Sequence, residues 1–221
     1  MIIMNKKEKA LRICSELKKI YPFAECSLKY NKPYELLIAT RLSAQCTDAR
    51  VNIVTEVLFK KYTSIRDFAN ADIEELESIV RPCGFYRTKA ANIKEICEML
   101  IDKFNGTVPD NMDDLLTLPG VGRKTANLIL GDIYGKPAIV TDTHCIRISG
   151  RFGLTDNSDP HKVEKDLVKL IPPDEGSDFC HRLVFFGREV CKAKKPLCEV
   201  CTLNDICRYY INEIKESDNE K

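Results

Sequence analysis

Cys191, Cys198, Cys201 and Cys207 stand at the spacing C-x6-C-x2-C-x5-C near the end of a 221-residue chain. A lone cysteine is ordinarily a small buried hydrophobe, but four at this density are poorly explained that way. Four thiolates in a tetrahedral array hold either zinc or an iron–sulfur cluster, and the ligand type alone does not decide between them. Zinc sites more often carry two C-x2-C pairs, whereas here only Cys198 and Cys201 form one. The loop between the first two cysteines, Lys192-Ala193-Lys194-Lys195-Pro196, is strongly basic.

A second group lies in residues 115–127, LLTLPGVGRKTAN. One helix ends, a Pro-Gly-Val-Gly turn follows, and another helix starts. Gly120 and Gly122 leave no side chain in the way and tolerate unusual backbone angles. The amides of the turn (Gly120, Val121, Gly122) and of the new helix (Arg123, Lys124, Thr125) can therefore approach a phosphate closely, with no base edge read. The plainer alternative is an ordinary tight turn. Lys124 falls in the first turn of the second helix, where the positive pole of the helix dipole and Arg123 disfavour an ammonium. A nucleophilic amine needs that bias; a solvated surface lysine is the plainer reading. Further on, Asp142 in Val140-Thr141-Asp142-Thr143-His144 precedes a predicted helix, as an N-cap would.

These groups need elements to hold them, and the pattern is almost wholly helical. Apolar positions at Leu11, Cys14, Leu17 and Ile20 predict a helix over 6–20, stopped by Pro22. Residues 34–44 and 48–60 predict two more, the second capped by Thr47. Asp72 begins a short helix that ends before Pro82, and 87–104 form a long amphipathic one stopped at Gly106. Helices over 112–117 and 122–134 flank the glycine turn. Further helices are expected over 143–151, from Ser158-Asp159-Pro160 onward, and over 177–190. Ala138-Ile139-Val140 reads as a buried connection, and the charged tail 213–221 is expected to fray.

Composition fits a globular protein, with 44% hydrophobic and 30% charged residues. No apolar run approaches the roughly 18 residues of a spanning helix. The first residues turn charged too soon for a signal peptide, so a cytoplasmic protein is expected. The 11 cysteines are an odd number, and in a reducing compartment close spacing favours metal ligation over disulfides. A net charge of +1 places any nucleic-acid binding on a local patch. Basic residues gather at Arg182, Arg188, Lys192, Lys194 and Lys195. Asp72, Glu74, Glu75 and Glu77 read as a solvated acidic face.

Taken in order, these motifs resemble the iron–sulfur helix–hairpin–helix DNA glycosylases of the endonuclease III family. The likeness runs from about residue 30 to 210. It implies an all-α fold in two parts: a six-helix bundle over 24–136 holding the hairpin, and a cluster domain of 1–23 with 137–212. It implies a 4Fe–4S cluster on the four cysteines, with Lys192, Lys194 and Lys195 turned to the DNA backbone. Lys124 and Asp142 match the family's catalytic pair, facing each other across a DNA cleft, although Thr141 replaces the usual valine. Adenine glycosylases of the same superfamily lack this lysine. Its presence implies a bifunctional base-excision enzyme that removes oxidised pyrimidines through a Schiff base and nicks the strand by β-elimination. The partner implied is double-stranded DNA with a damaged pyrimidine or abasic site, met by a monomer with no membrane association. In Leu42–Asp48, Gln45 resembles the residue that fills the space left by an extruded base. In Gly84-Phe85-Tyr86, Phe85 sits where a leucine wedge is common. His144 contacts lesion or phosphate, or merely caps a helix. Two other readings stand beside this one: a non-catalytic DNA-binding module with a redox cluster, and a zinc protein with a basic loop.

Overall fold

The computed structural model describes residues 4–215, and no β-strand occurs among them. Among the described residues eleven α-helices follow in chain order: α1 (Lys6–Ile20), α2 (Pro33–Ser43), α3 (Asp48–Lys61), α4 (Ile65–Ala69), α5 (Ile73–Val80), α6 (Tyr86–Phe104), α7 (Met112–Leu116), α8 (Arg123–Tyr134), α9 (Thr143–Phe152), α10 (Pro160–Val168) and α11 (Gly176–Glu189). They fall into two compact units, Cys26–Tyr134 and the described residues on either side of it.

Local chemistry sets most of the helix starts. Thr47 accepts the Arg50 N–H at 3.3 Å, Asp72 the Glu75 N–H at 2.9 Å, and Asp159 the Lys162 N–H at 2.9 Å, with Pro160 at the first helical position. Each satisfies an amide that a helix start leaves without a partner. α6 stops where Asn105 and Gly106 both turn left-handed and the Gly106 N–H reaches back to the Leu100 carbonyl at 2.7 Å.

The Cys26–Tyr134 unit holds seven α-helices among the described residues, one more than the hydrophobic pattern predicts. The extra one is α4, too short to show a period. A reciprocal cap defines it: the Asp67 N–H donates to Ser64 Oγ at 3.1 Å and the Ser64 N–H to Asp67 Oδ2 at 2.9 Å. α4 delivers the fully buried Phe68 to an aromatic cluster, 5.1 Å from the Tyr62 ring and edge-on to Tyr34 and Phe59. Burying such a ring contributes about 1.5–3 kcal/mol. α4 and α5 both pack on α6, while α2 packs on α3 and α8.

In the other unit α11 is central, packed by α1 and α9. Ile13 and Leu17 of α1 are wholly buried, and the Phe152 and Phe186 rings stack at 6.0 Å. Ala138, Ile139 and Val140 form a buried connection without strand geometry. Arg182, grouped above with the surface cations, is buried instead, paired with Glu175 at 2.6 Å and Asp178 at 2.7 Å. Its position on the inner face of α11 removes it from any basic patch. The described chain closes in a π-helical segment, Tyr210–Lys215; the rest of the charged tail lies outside the described residues.

Candidate active site

The segment between α7 and α8 is a tight hairpin anchored from below. Leu118 and Val121 are buried, and the Val121 N–H closes a turn onto the Leu118 carbonyl at 3.1 Å. Gly120 has φ +69°, and a Cβ there would stand 2.5 Å from Arg41 Nε. Arg41 is fixed in turn: its Nε and Nη2 donate to Asn92 Oδ1 at 2.9 and 2.7 Å. Gly120 is therefore required by what lies inside the hairpin. Gly122 is different, because a Cβ there would meet nothing within 4 Å. Its bareness faces outward, where a phosphate could approach the amides. Arg123 and Lys124 are exposed in the first turn of α8, and Thr125 is half-buried beside them.

In the other unit Asp142 is the N-cap of α9. Its Oδ1 accepts the Cys145 N–H at 2.7 Å, and its Oδ2 lies 3.2 Å from His144 Nδ1. The capping role and a chemical role are thus not rivals, since the cap holds the carboxylate in one orientation. His144 is itself held. A Cβ on Gly187 of α11 would come within 2.5 Å of its Cδ2, so the imidazole packs directly against a bare stretch of helix. Behind this segment the neighbouring Cys145 thiol and burial together push the Cys180 thiol well up.

Gln45 and Phe85 both occupy the left-handed region, at φ +55° and +48°, where side chains other than glycine are disfavoured. Both are exposed, Phe85 at 68%, so this ring is not a core residue. Each sits at a helix boundary: Gln45 just before α3 and Phe85 at the N-cap of α6.

Cys191, Cys198, Cys201 and Cys207 line one small, partly open cavity with Phe152, Phe186 and Leu197. No three His, Cys, Asp or Glu side chains among the described residues converge as they would around one metal ion. Four cysteines around one space fit a thiolate-held metal group, zinc or an iron–sulfur cluster alike. Burial pushes the Cys201 thiol up to about 11, so ligation there must displace a proton. Arg151, which sequence reasoning missed, organises this site. Its Nη1 donates to Cys191 Sγ at 3.3 Å and to the Lys192 carbonyl at 2.7 Å, and its Nη2 to the Ala193 carbonyl at 3.0 Å. One guanidinium thus holds both a sulfur and the basic loop, on which Lys192, Lys194 and Lys195 are exposed. No local pattern marks Arg151, because its partners lie some 40 residues away.

Comparison with known proteins agrees with this layout. Residues 38–173 match the HhH-GPD superfamily of base excision DNA repair proteins. Residues 191–207, which run from the first to the last of the four cysteines, match the iron–sulfur binding domain of endonuclease III. The chain is 48% identical to the endonuclease III of Synechocystis sp. over 92% of its own length and 93% of that protein's. It is similar to a solved non-covalent endonuclease III–DNA complex, with 46% identity and a TM-score of 0.88 over 99% of this chain and all of that one. It is equally similar to a trapped endonuclease III–DNA covalent intermediate, with 47% identity and a TM-score of 0.87 over 95% of this chain and 98% of that one. The hairpin, the capped aspartate and the four-cysteine cavity thus occur together in a chain that belongs to the endonuclease III family.

Proposed function

We propose that Lys124 is the nucleophile, and Asp142 its charged partner, in a base-excision reaction on duplex DNA. The chain is a bifunctional DNA glycosylase and abasic-site lyase acting on damaged DNA, and our reading assigns its substrate as an oxidised pyrimidine. The damaged nucleotide is turned out of the stack, as chemistry on a base inside a duplex demands. The neutral Lys124 amine attacks C1′ of the sugar, and the bond to the base breaks as its electron pair leaves with the base. The aminal so formed opens as the ring oxygen leaves C1′ and takes up a proton, giving a Schiff base; this acidifies the C2′ hydrogen, and its loss expels the 3′ phosphate, cutting the strand. Asp142, fixed by the Cys145 amide and His144, offers a negative charge to the cation that develops on the sugar. Hairpin amides from Gly120 to Thr125 and the ammonium groups of Lys192, Lys194 and Lys195 hold phosphates. Gln45 and Phe85 occupy the gap that extrusion leaves.

When bound, the 4Fe–4S cluster supplies a cross-link that ties Cys191, Cys198, Cys201 and Cys207 into one rigid segment and so gives the basic loop a fixed base. The reading takes the enzyme as a cytoplasmic monomer working on chromosomal DNA, since every proposed group lies in this one chain. No helix among the described residues is long and apolar enough to cross a membrane.

The observation that carries the reading is an exposed lysine in the first turn of α8, directly after a hairpin whose second glycine is open to the outside. Borohydride trapping on a duplex containing thymine glycol tests it. The expected result is a covalent adduct with the parent protein and none with Lys124→Gln. An absent adduct from folded, yellow-brown parent protein would refute the lysine mechanism.

A further inference from the structure

Lys89, one turn into α6, is buried to 1% exposure. Its Nζ donates to three backbone carbonyls, Leu42, Ala44 and Cys83, each at 2.8 Å. Every proton of the ammonium is therefore used, and the amine has no route to act as a base or nucleophile. Two of the acceptors close the C-terminal end of α2, immediately before Gln45. The third lies two residues before Phe85. A cation suits the negative pole of a helix C-terminus, yet burying an ammonium costs far more than leaving it in water. A surface lysine would serve stability at lower cost.

The three acceptors belong to the two segments whose tips, Gln45 and Phe85, are exposed and held in a disfavoured backbone region. Such strain persists only where the surroundings over-determine it, and it concentrates at working sites. The Cys46 and Cys83 thiols also lie beside one another across the same two segments.

We infer that Lys89 is a positioning residue, a buried cationic staple that fixes the distance between the Gln45 and Phe85 tips so that both enter the duplex together. The inference rests on the reading of those tips given above. It concerns base extrusion alone, since the hairpin that grips phosphate is a separate segment.

The test is Lys89→Met in the cluster-loaded protein, which keeps the apolar stem and removes the donors. Two quantities are compared with the parent: affinity for an undamaged duplex, and single-turnover excision of thymine glycol at saturating enzyme. The expected result is affinity within about twofold and excision lowered about 10- to 100-fold, the size that a small misplacement of reacting groups produces. Parental excision overturns the inference, and so does a parallel fall of affinity and excision, which would mark a merely structural lysine. If the methionine variant does not fold, Lys89→Arg keeps donors of altered reach. The expectation is then a smaller fall confined to excision, and equal loss of both quantities overturns the role. Gln45→Ala and Phe85→Ala run alongside. Parental excision in both overturns the reading of the tips and the inference with it. Impaired tip variants beside a parental Lys89→Met overturn the role of Lys89 alone.

Discussion

Replacing Gly120 by alanine separates the two reasons for a glycine in the hairpin. At φ +69° an alanine pays the left-handed penalty of about 1–2 kcal/mol. Its Cβ would also stand 2.5 Å from Arg41 Nε, so the guanidinium must move. That side chain is flexible, but moving it breaks two hydrogen bonds to Asn92, at 2.9 and 2.7 Å, which as bonds from a charged donor contribute about 1.5–3 kcal/mol together after partial re-solvation. The expected destabilisation is about 2.5–5 kcal/mol, read as a lowered urea midpoint of the cluster-loaded protein. Gly122→Ala is the control. Its Cβ meets nothing within 4 Å and its φ is not positive, so stability should move by less than about 0.5 kcal/mol. Duplex affinity should nonetheless fall about tenfold, because the methyl group stands where a phosphate must approach, and tenfold is about 1.4 kcal/mol. Equal stability losses in the two variants, or an unaltered midpoint for Gly120→Ala, would refute this division of labour.

Two further outcomes follow from single side chains. Arg151→Met removes the donor to Cys191 Sγ and to the carbonyls of Lys192 and Ala193; iron per chain and absorbance near 400 nm should decline faster in air, and duplex affinity should lose part of its salt dependence, measured by titration at several ionic strengths. Glu175 is held below its ordinary carboxylate range by Lys18 and the buried Arg182. Its stabilising contribution is therefore complete above its unfolded value and lost as pH falls through its lower folded value, so stability should drop as pH falls below about 4.3. Glu175→Gln should cost about 2 kcal/mol at pH 7 and flatten that acid limb, and an unchanged limb would remove Glu175 from the account.

Much of the fold is legible because it is written locally. Thr47, Asp72, Asp142 and Asp159 each announce a helix start through a short side chain that reaches an amide three residues on. The LPGVG turn and the cysteine spacing are legible for the same reason. What stays hidden depends on partners far along the chain. Lys89 looks like any helix-surface lysine until its three carbonyl acceptors, two of them more than 40 residues distant, come into view. Arg182 reads as surface charge because its partner carboxylates cannot be ranked from sequence, and Arg151 has no local signature at all. The seven cysteines outside the cluster look scattered, yet Cys46 comes to lie beside Cys83 and Cys145 beside Cys180 once the helices pack. α4 escapes because its five residues display no helical period and, unlike the equally short α7, it adjoins no recognisable glycine turn.

The unit that carries the cysteine cavity is assembled from the two extremes of the chain, with α1 packed on α11 and the whole Cys26–Tyr134 unit inserted between them. On the ribosome this order imposes a wait. Ala10, Ile13 and Leu17, all wholly buried at the end, emerge early and find no cover until α11 has been made. At about 5–20 residues per second that interval is roughly 10–30 s. The inserted unit can close on itself meanwhile, but the opening helix cannot. The nascent enzyme thus spends much of its synthesis with one apolar stripe unpartnered, a task for chaperones that the finished molecule no longer displays.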